Sequence, residues 1–153
     1  MSYSYQPHYF EDYELGDTFE SAARTITEAD FVFHSSFSGD WTELHTNAEY
    51  SDEQHFDERV AHGPMTFSVA TGLVFRTGLM ERTAVAFIGM DYMDLPQPVF
   101  IDDTVALDMT VEEIQDVSSR DDAGMVRFDT DLTNQEGKSV LLGDMKFLVK
   151  KNG

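Results

Sequence analysis

The sequence predicts an α+β fold in which an antiparallel sheet wraps around one long, buried helix. Three observations carry this. Residues 64–77 (PMTFSVATGLVFRT) place apolar or small side chains on nearly every face of a helix, as buried helices do. The stretches that follow switch to period-two alternation, the mark of strands. The long strands come together after the helices, an order that favours an antiparallel sheet over a parallel βαβ one. At 153 residues the chain suits one domain over 1–153. A chain of this size buries roughly 70% of its unfolded surface, so the core requires no disulfide or structural metal.

The elements follow in order. Residues 1–16 read as an irregular lead-in that closes in a turn at Gly16-Asp17. Residues 18–26 (TFESAARTI) are a first strand of poor alternation. A short helix comes next. Thr27 caps it, and Glu28 and Asp30 suit its positive end. Phe31, Val32, Phe33 and Phe37 supply its apolar surface, and Gly39 its stop. Residues 40–62 mix Asp, His, Asn, Glu and Ser without periodicity. That is longer than an ordinary connection and marks a candidate functional loop. Pro64 opens the long helix, where its missing N–H costs nothing, and Gly78 offers the stop. Residues 84–93 (AVAFIGMDYM) are apolar on both faces, as in a covered central strand. Residues 104–112 and 124–132 alternate, and 139–149 form the fourth long strand. Residues 95–103 join the first two long strands, and Asn134–Gly137 turns between the last two.

Composition excludes several functions. There are no cysteines, so disulfides, thiolate metal sites and cysteine nucleophiles are ruled out. A reducing, cytoplasmic setting is the expectation. Twenty-nine acidic residues against 10 basic give a net charge of −19, which repels nucleic acid and anionic lipid. Disorder is the ordinary correlate of such charge, but 12 Phe, 6 Tyr and regular apolar runs point to a folded chain with an excess of surface carboxylates. That balance resembles proteins of salt-loving organisms, where cations screen self-repulsion. No stretch reaches the ~20 apolar residues of a membrane span. The first residues lack the basic start and apolar run of a signal peptide.

Chemistry concentrates in Phe37-Ser38-Gly39-Asp40-Trp41-Thr42-Glu43-Leu44-His45 and in Val60-Ala61-His62-Gly63-Pro64-Met65. Alone, Asp40 is one acid of 29 and His45 one histidine of 5. Together, a carboxylate and an imidazole can bracket one water and divide base and acid work. Their spacing within a loop permits that geometry without enforcing it. The N–H groups that open the long helix lack partners within it and favour developing negative charge. Gly63 stands at that entrance, where the lack of a side chain allows close approach to backbone.

These residues resemble the signature of the MaoC-like dehydratases, which include the (R)-specific enoyl-CoA hydratases. The likeness covers about residues 15–150 and rests on Ser38-Gly39-Asp40, Leu44-His45 and His62-Gly63. It implies the hot-dog fold. It implies Asp40 and His45 as the catalytic pair, Gly63 N–H as a donor to the thioester oxygen, and Thr71 where the hydratases carry a supporting Ser. It implies a hydro-lyase that adds water reversibly to a 2-enoyl thioester. The substrate is carried by coenzyme A or an acyl carrier, with no metal and no separate cofactor. A homodimer that buries the long helices and shapes an acyl tunnel is implied as well. Two departures stand out. Thr42-Glu43 replaces the family's Asn-Pro, expected to loosen the loop, and Thr71 adds a methyl to the supporting hydroxyl. Arg59, Arg76, Arg82 and Lys138 are the candidates for the phosphates of coenzyme A.

Three other readings stay open. Hot-dog folds also serve thioesterases, and fold does not fix function. A non-catalytic, acyl-thioester-binding or regulatory protein is a second alternative. His34, His45, His55 and His62 with nearby acids could hold a metal, but their spacings match no ligand motif.

Overall fold

The computed structural model describes residues 6–153, so the first five residues of the lead-in lie outside the described residues. The helices are α1 (Glu28–Ser38), α2 (Glu43–Thr46), α3 (Ala48–Asp52) and α4 (Gly63–Arg76). The strands are β1 (Thr18–Glu20), β2 (Arg24–Thr25), β3 (Ala84–Gly89), β4 (Met93–Asp94), β5 (Thr104–Asp116), β6 (Ala123–Thr133) and β7 (Ser139–Lys150). They form one sheet in the order β1-β5-β6-β7-β3, with β2 beside β5 and β4 beside β7. Every pairing is antiparallel. The sheet wraps α4, which is the hot-dog arrangement.

The core lies between α4 and the concave face. Met65, Val69, Leu73 and Val74 of α4 are buried in one cluster with Leu107, Phe128 and Phe147 of the sheet. Each such side chain contributes about 1.5–3 kcal/mol when fully buried. Alternation in β6 puts Val126, Phe128, Thr130 and Leu132 inside, while Arg127, Asp129 and Asp131 stay half-buried on the outer face. The lead-in also reaches the core: Phe10, in a 3-10 turn over Phe10–Asp12, and Tyr13 are both buried.

Four expectations are corrected. The first strand is two short pieces, β1 and β2, because TFESAARTI lacks the alternation that would hold one continuous ladder. Residues 40–62 are not wholly irregular, since α2 and α3 occupy much of them. Residues 84–93 form an edge strand, broken after Gly89, and not a covered central one. Val85, Phe87 and Ile88 are exposed there. Finally, α4 is not buried all round: Pro64, Ser68, Gly72 and Phe75 form an exposed stripe. Of the apolar residues of α1 only Phe31 is buried, and Phe37 is 91% exposed. On β3, α4 and α1 the exposed apolar residues mark surface left uncovered among the described residues.

Beyond β3 the chain is pinned by Asp144, whose Oδ1 accepts from the Asp91 and Tyr92 N–H groups at 2.7 and 2.9 Å. That turn delivers Leu95 against the start of α4. Among the described residues no helix is long and apolar enough to cross a membrane.

Candidate active site

Asp40 owes its place to the end of α1. The Thr27 N–H donates to Asp30 Oδ2 at 2.8 Å and fixes the start of that helix. Gly39 ends it in the left-handed region (φ 79°), with its N–H on the Ser35 carbonyl at 2.9 Å. A side chain would be strained there. The turn projects Asp40 toward α2. Asp40 Oδ1 accepts from Thr42 Oγ1 at 2.6 Å and Thr42 N–H at 3.1 Å. These bonds hold the carboxyl below its ordinary range, led by the Thr42 hydroxyl. Thr42 is also the residue that leads into α2. Thr42 thus braces the turn through both its hydroxyl and its N–H. Glu43 accepts from Asn47 Nδ2 at 3.0 Å.

With Oδ1 engaged, Oδ2 is the oxygen turned to His45, 3.6 Å from its Nε2. His45 lies on α2, and its Nδ1 is 2.7 Å from the Val60 carbonyl. A carbonyl only accepts, so Nδ1 carries a proton, and in the tautomer this selects Nε2 keeps its lone pair. Two basic lone pairs, Asp40 Oδ2 and His45 Nε2, thus face one gap.

His62, which the sequence placed in a motif and among the histidines of a possible metal site, completes the cluster. It is 1% exposed. Its ring stacks on His45 with centroids 3.8 Å apart and planes 24° apart. Its Nε2 lies 3.1 Å from both the Asp40 carbonyl and Ser35 Oγ. Burial pushes its pKa down, against the hydrogen bond to Asp40. By distance, Asp40, His45 and His62 could together hold a metal ion, since their ligand atoms lie within 4.8 Å of one another. His62 Nε2 is engaged by the Asp40 carbonyl, and its Nδ1 is buried without a hydrogen-bond partner.

Gly63 follows His62 directly and opens α4, so the helix start is anchored beside the pair. A Cβ on Gly63 would stand 2.9 Å from Leu95 Cδ1. Within the chain the added methyl would meet the end of one exposed side chain, which can move aside. Beside it is a cavity of about 530 Å³ lined by Val60, Ala61, Gly63, Thr66, Leu95 and Val99, among others. Thr71 lies two turns along α4, and its hydroxyl donates to the Ser68 carbonyl at 2.7 Å.

The four basic candidates separate. Arg59 forks onto Glu28 at 2.8 and 2.5 Å in a cleft also lined by Glu49, Asp52, Asp57 and Glu58, which disfavours a phosphate. Lys138 pairs with Glu136 at 3.1 Å. Arg76 and Arg82 are exposed and enter no ion pair among the described residues.

Comparison with known proteins gives the family. The MaoC like domain family matches residues 12–131. The chain is 36% identical over 102 residues to Protein MaoC of Klebsiella aerogenes, which covers 67% of this chain and 30% of that protein's length. It is 30% identical to the (R)-specific enoyl-CoA hydratase of Rhodospirillum rubrum, over 95% of this chain and 94% of the relative. The structure of a monoamine oxidase regulatory protein from Archaeoglobus fulgius superposes with a TM-score of 0.86 at 31% identity, covering 96% of this chain and 97% of that one. With the family matched over most of its length and the paired Asp40 and His45 set beside the start of the wrapped helix, the chain belongs to the MaoC-like dehydratase family.

Proposed function

We propose that this protein is a hydro-lyase that adds water reversibly to a 2-enoyl thioester, as an (R)-specific enoyl-CoA hydratase does. The observation that carries the reading is the pair of lone pairs on Asp40 Oδ2 and His45 Nε2, 3.6 Å apart. A water between them donates a hydrogen to each. As its oxygen bonds to the β-carbon, one proton passes to the pair. The π electrons of the C=C bond move toward the thioester, whose oxygen gathers charge. The N–H groups at the start of α4, Gly63 among them, favour that charge. The proton then returns to the α-carbon, and the product is a 3-hydroxyacyl thioester. The reaction moves the elements of water and needs no redox cofactor; coenzyme A or a carrier is only the handle. The cavity beside Gly63 and Thr66 has room for part of the acyl chain or the thioester arm.

The exposed stripe of α4 and the exposed apolar residues of the β3 edge support a homodimer. An uncovered edge strand is a pairing surface that soluble proteins normally blunt or cover. Of the four candidates, Arg76 and Arg82, at and beyond the far end of α4 from Gly63, are the ones left free for substrate phosphates.

The test is a panel of enoyl-CoA thioesters followed by loss of enoyl absorbance in high salt. Hydration of at least one supports the reading. Release of free thiol without hydration replaces it with thioesterase activity. The regulatory designation of the relative at 31% identity favours a second reading, a non-catalytic acyl-thioester-binding protein, which binding without turnover would establish.

A further inference from the structure

We propose that His62 is the positioning residue of this site: it holds Asp40 by the main chain and His45 by the face of its ring, and so sets the spacing of the two groups that work on water. The inference rests on the hydration reading above.

Asp40 lies between α1 and α2, in neither helix nor strand. Its N–H donates to Ser38 Oγ at 3.1 Å, and its Oδ1 is tied to Thr42. Both bonds are local and would move with the turn. His62 supplies the tie to α4, the element that anchors the core. The Asp40 carbonyl can only accept, so His62 Nε2 carries a proton, and in the neutral ring Nδ1 is bare. The same ring is the platform under His45, whose other anchor is the Val60 carbonyl. One buried side chain therefore couples both partners to the helix start where Gly63 begins.

Charge supports the assignment. The ionisable side chains around His62 are His45, stacked on it, His34, with ring centroids 4.5 Å away, and Asp40. Burial and the two neighbouring imidazoles favour a neutral ring, against the pull of Asp40. A neutral platform does not oppose the positive charge that His45 takes when it accepts a proton.

Two substitutions separate the functions. His62→Gln keeps an N–H within reach of the Asp40 carbonyl but loses the ring. His62→Phe keeps the ring but loses the donor. His62→Phe should lower kcat by roughly 10²-fold, the scale of a misplacement of about 1 Å, with KM within about threefold on that same geometric ground. His62→Gln should recover about tenfold of the loss. A purely structural role predicts instead that Tm falls in both variants while kcat below the melting range stays at wild type, which would overturn the proposal. Imidazole ¹⁵N shifts of the wild-type protein provide a readout independent of activity and of the variants' folding. At pH 7 they should show His62 neutral, with hydrogen on Nε2 and none on Nδ1. A Nδ1–H tautomer or a cation would overturn the tether even if hydration is found. If the tautomer is as stated but no enoyl thioester is hydrated, the hydration reading fails, and the positioning role fails with it.

Discussion

His45 Nε2 stands 3.6 Å from Asp40 Oδ2, while the other reactive atom of each side chain is already engaged, His45 Nδ1 by the Val60 carbonyl and Asp40 Oδ1 by Thr42. The remaining lone pairs have only each other and solvent to face. Asp40→Asn removes the base at constant shape. His45→Gln keeps hydrogen bonding but cannot cycle a proton near neutral pH. Each should lower kcat for enoyl-thioester hydration by roughly 10²–10⁴-fold. The double variant should fall little further, because groups that act on one water fail together. Steady-state kinetics check this, and wild-type kcat in Asp40→Asn would refute the mechanism.

Thr42 should tune the pH range of activity. Its hydroxyl is the leading cause of the depressed Asp40 pKa. Thr42→Val removes that bond and keeps the backbone N–H. The Asp40 pKa then rises toward its ordinary value, so the acidic limb of kcat/KM should move to higher pH. Activity at pH 8 should change less than activity at pH 5. An acidic limb that stays in place would show that another group governs it.

The buried imidazole of His62 should make the fold acid-sensitive before the carboxylates titrate. Its folded pKa lies below its ordinary value of 6.5. Below pH 6.5 the unfolded chain therefore binds a proton that the native ring resists, and stability falls as pH drops. Tm measured in high salt should decline from pH 7 to 5.5, and His62→Gln should flatten that decline. An equal slope in both proteins would count against a neutral, buried His62.

Surface charge should make folding depend on salt. The net charge is −19, and added ions shorten the Debye length from ~10 Å at 0.1 M to ~3 Å at 1 M. Tm should rise across that range. A flat or falling Tm would remove the halophilic expectation.

Gly63 and Leu95 should behave as one unit. In Gly63→Ala the new methyl meets Leu95 Cδ1 at 2.9 Å, and Leu95, being exposed, can swing aside at little cost in stability. The displaced side chain intrudes on the adjoining cavity, so KM should rise severalfold, and Leu95→Ala in the same chain should restore it. Persistence of the defect in the double variant would mean that the substrate itself needs the bare Gly63 backbone.

The sequence by itself determined the family and the longest elements. Pro64 and an apolar run marked α4, strict alternation marked β5 and β6, and Asp40, His45 and Gly63 were legible because short motifs carry chemistry in fixed order. These are local properties, set by 3.6- and 2-residue periods and by turn chemistry. Tertiary structure decided the rest. It alone turned AVAFIGMDYM into an edge strand, because apolar character does not say which surface will cover a face. It alone gave Thr42 and His62 their roles, because the bonds that orient Asp40 and His45 come from a side chain two residues away and a ring across the fold. It placed Leu95 against Gly63 through a turn pinned by Asp144. It also turned the Thr71 hydroxyl onto the Ser68 carbonyl, a bond that motif order cannot express.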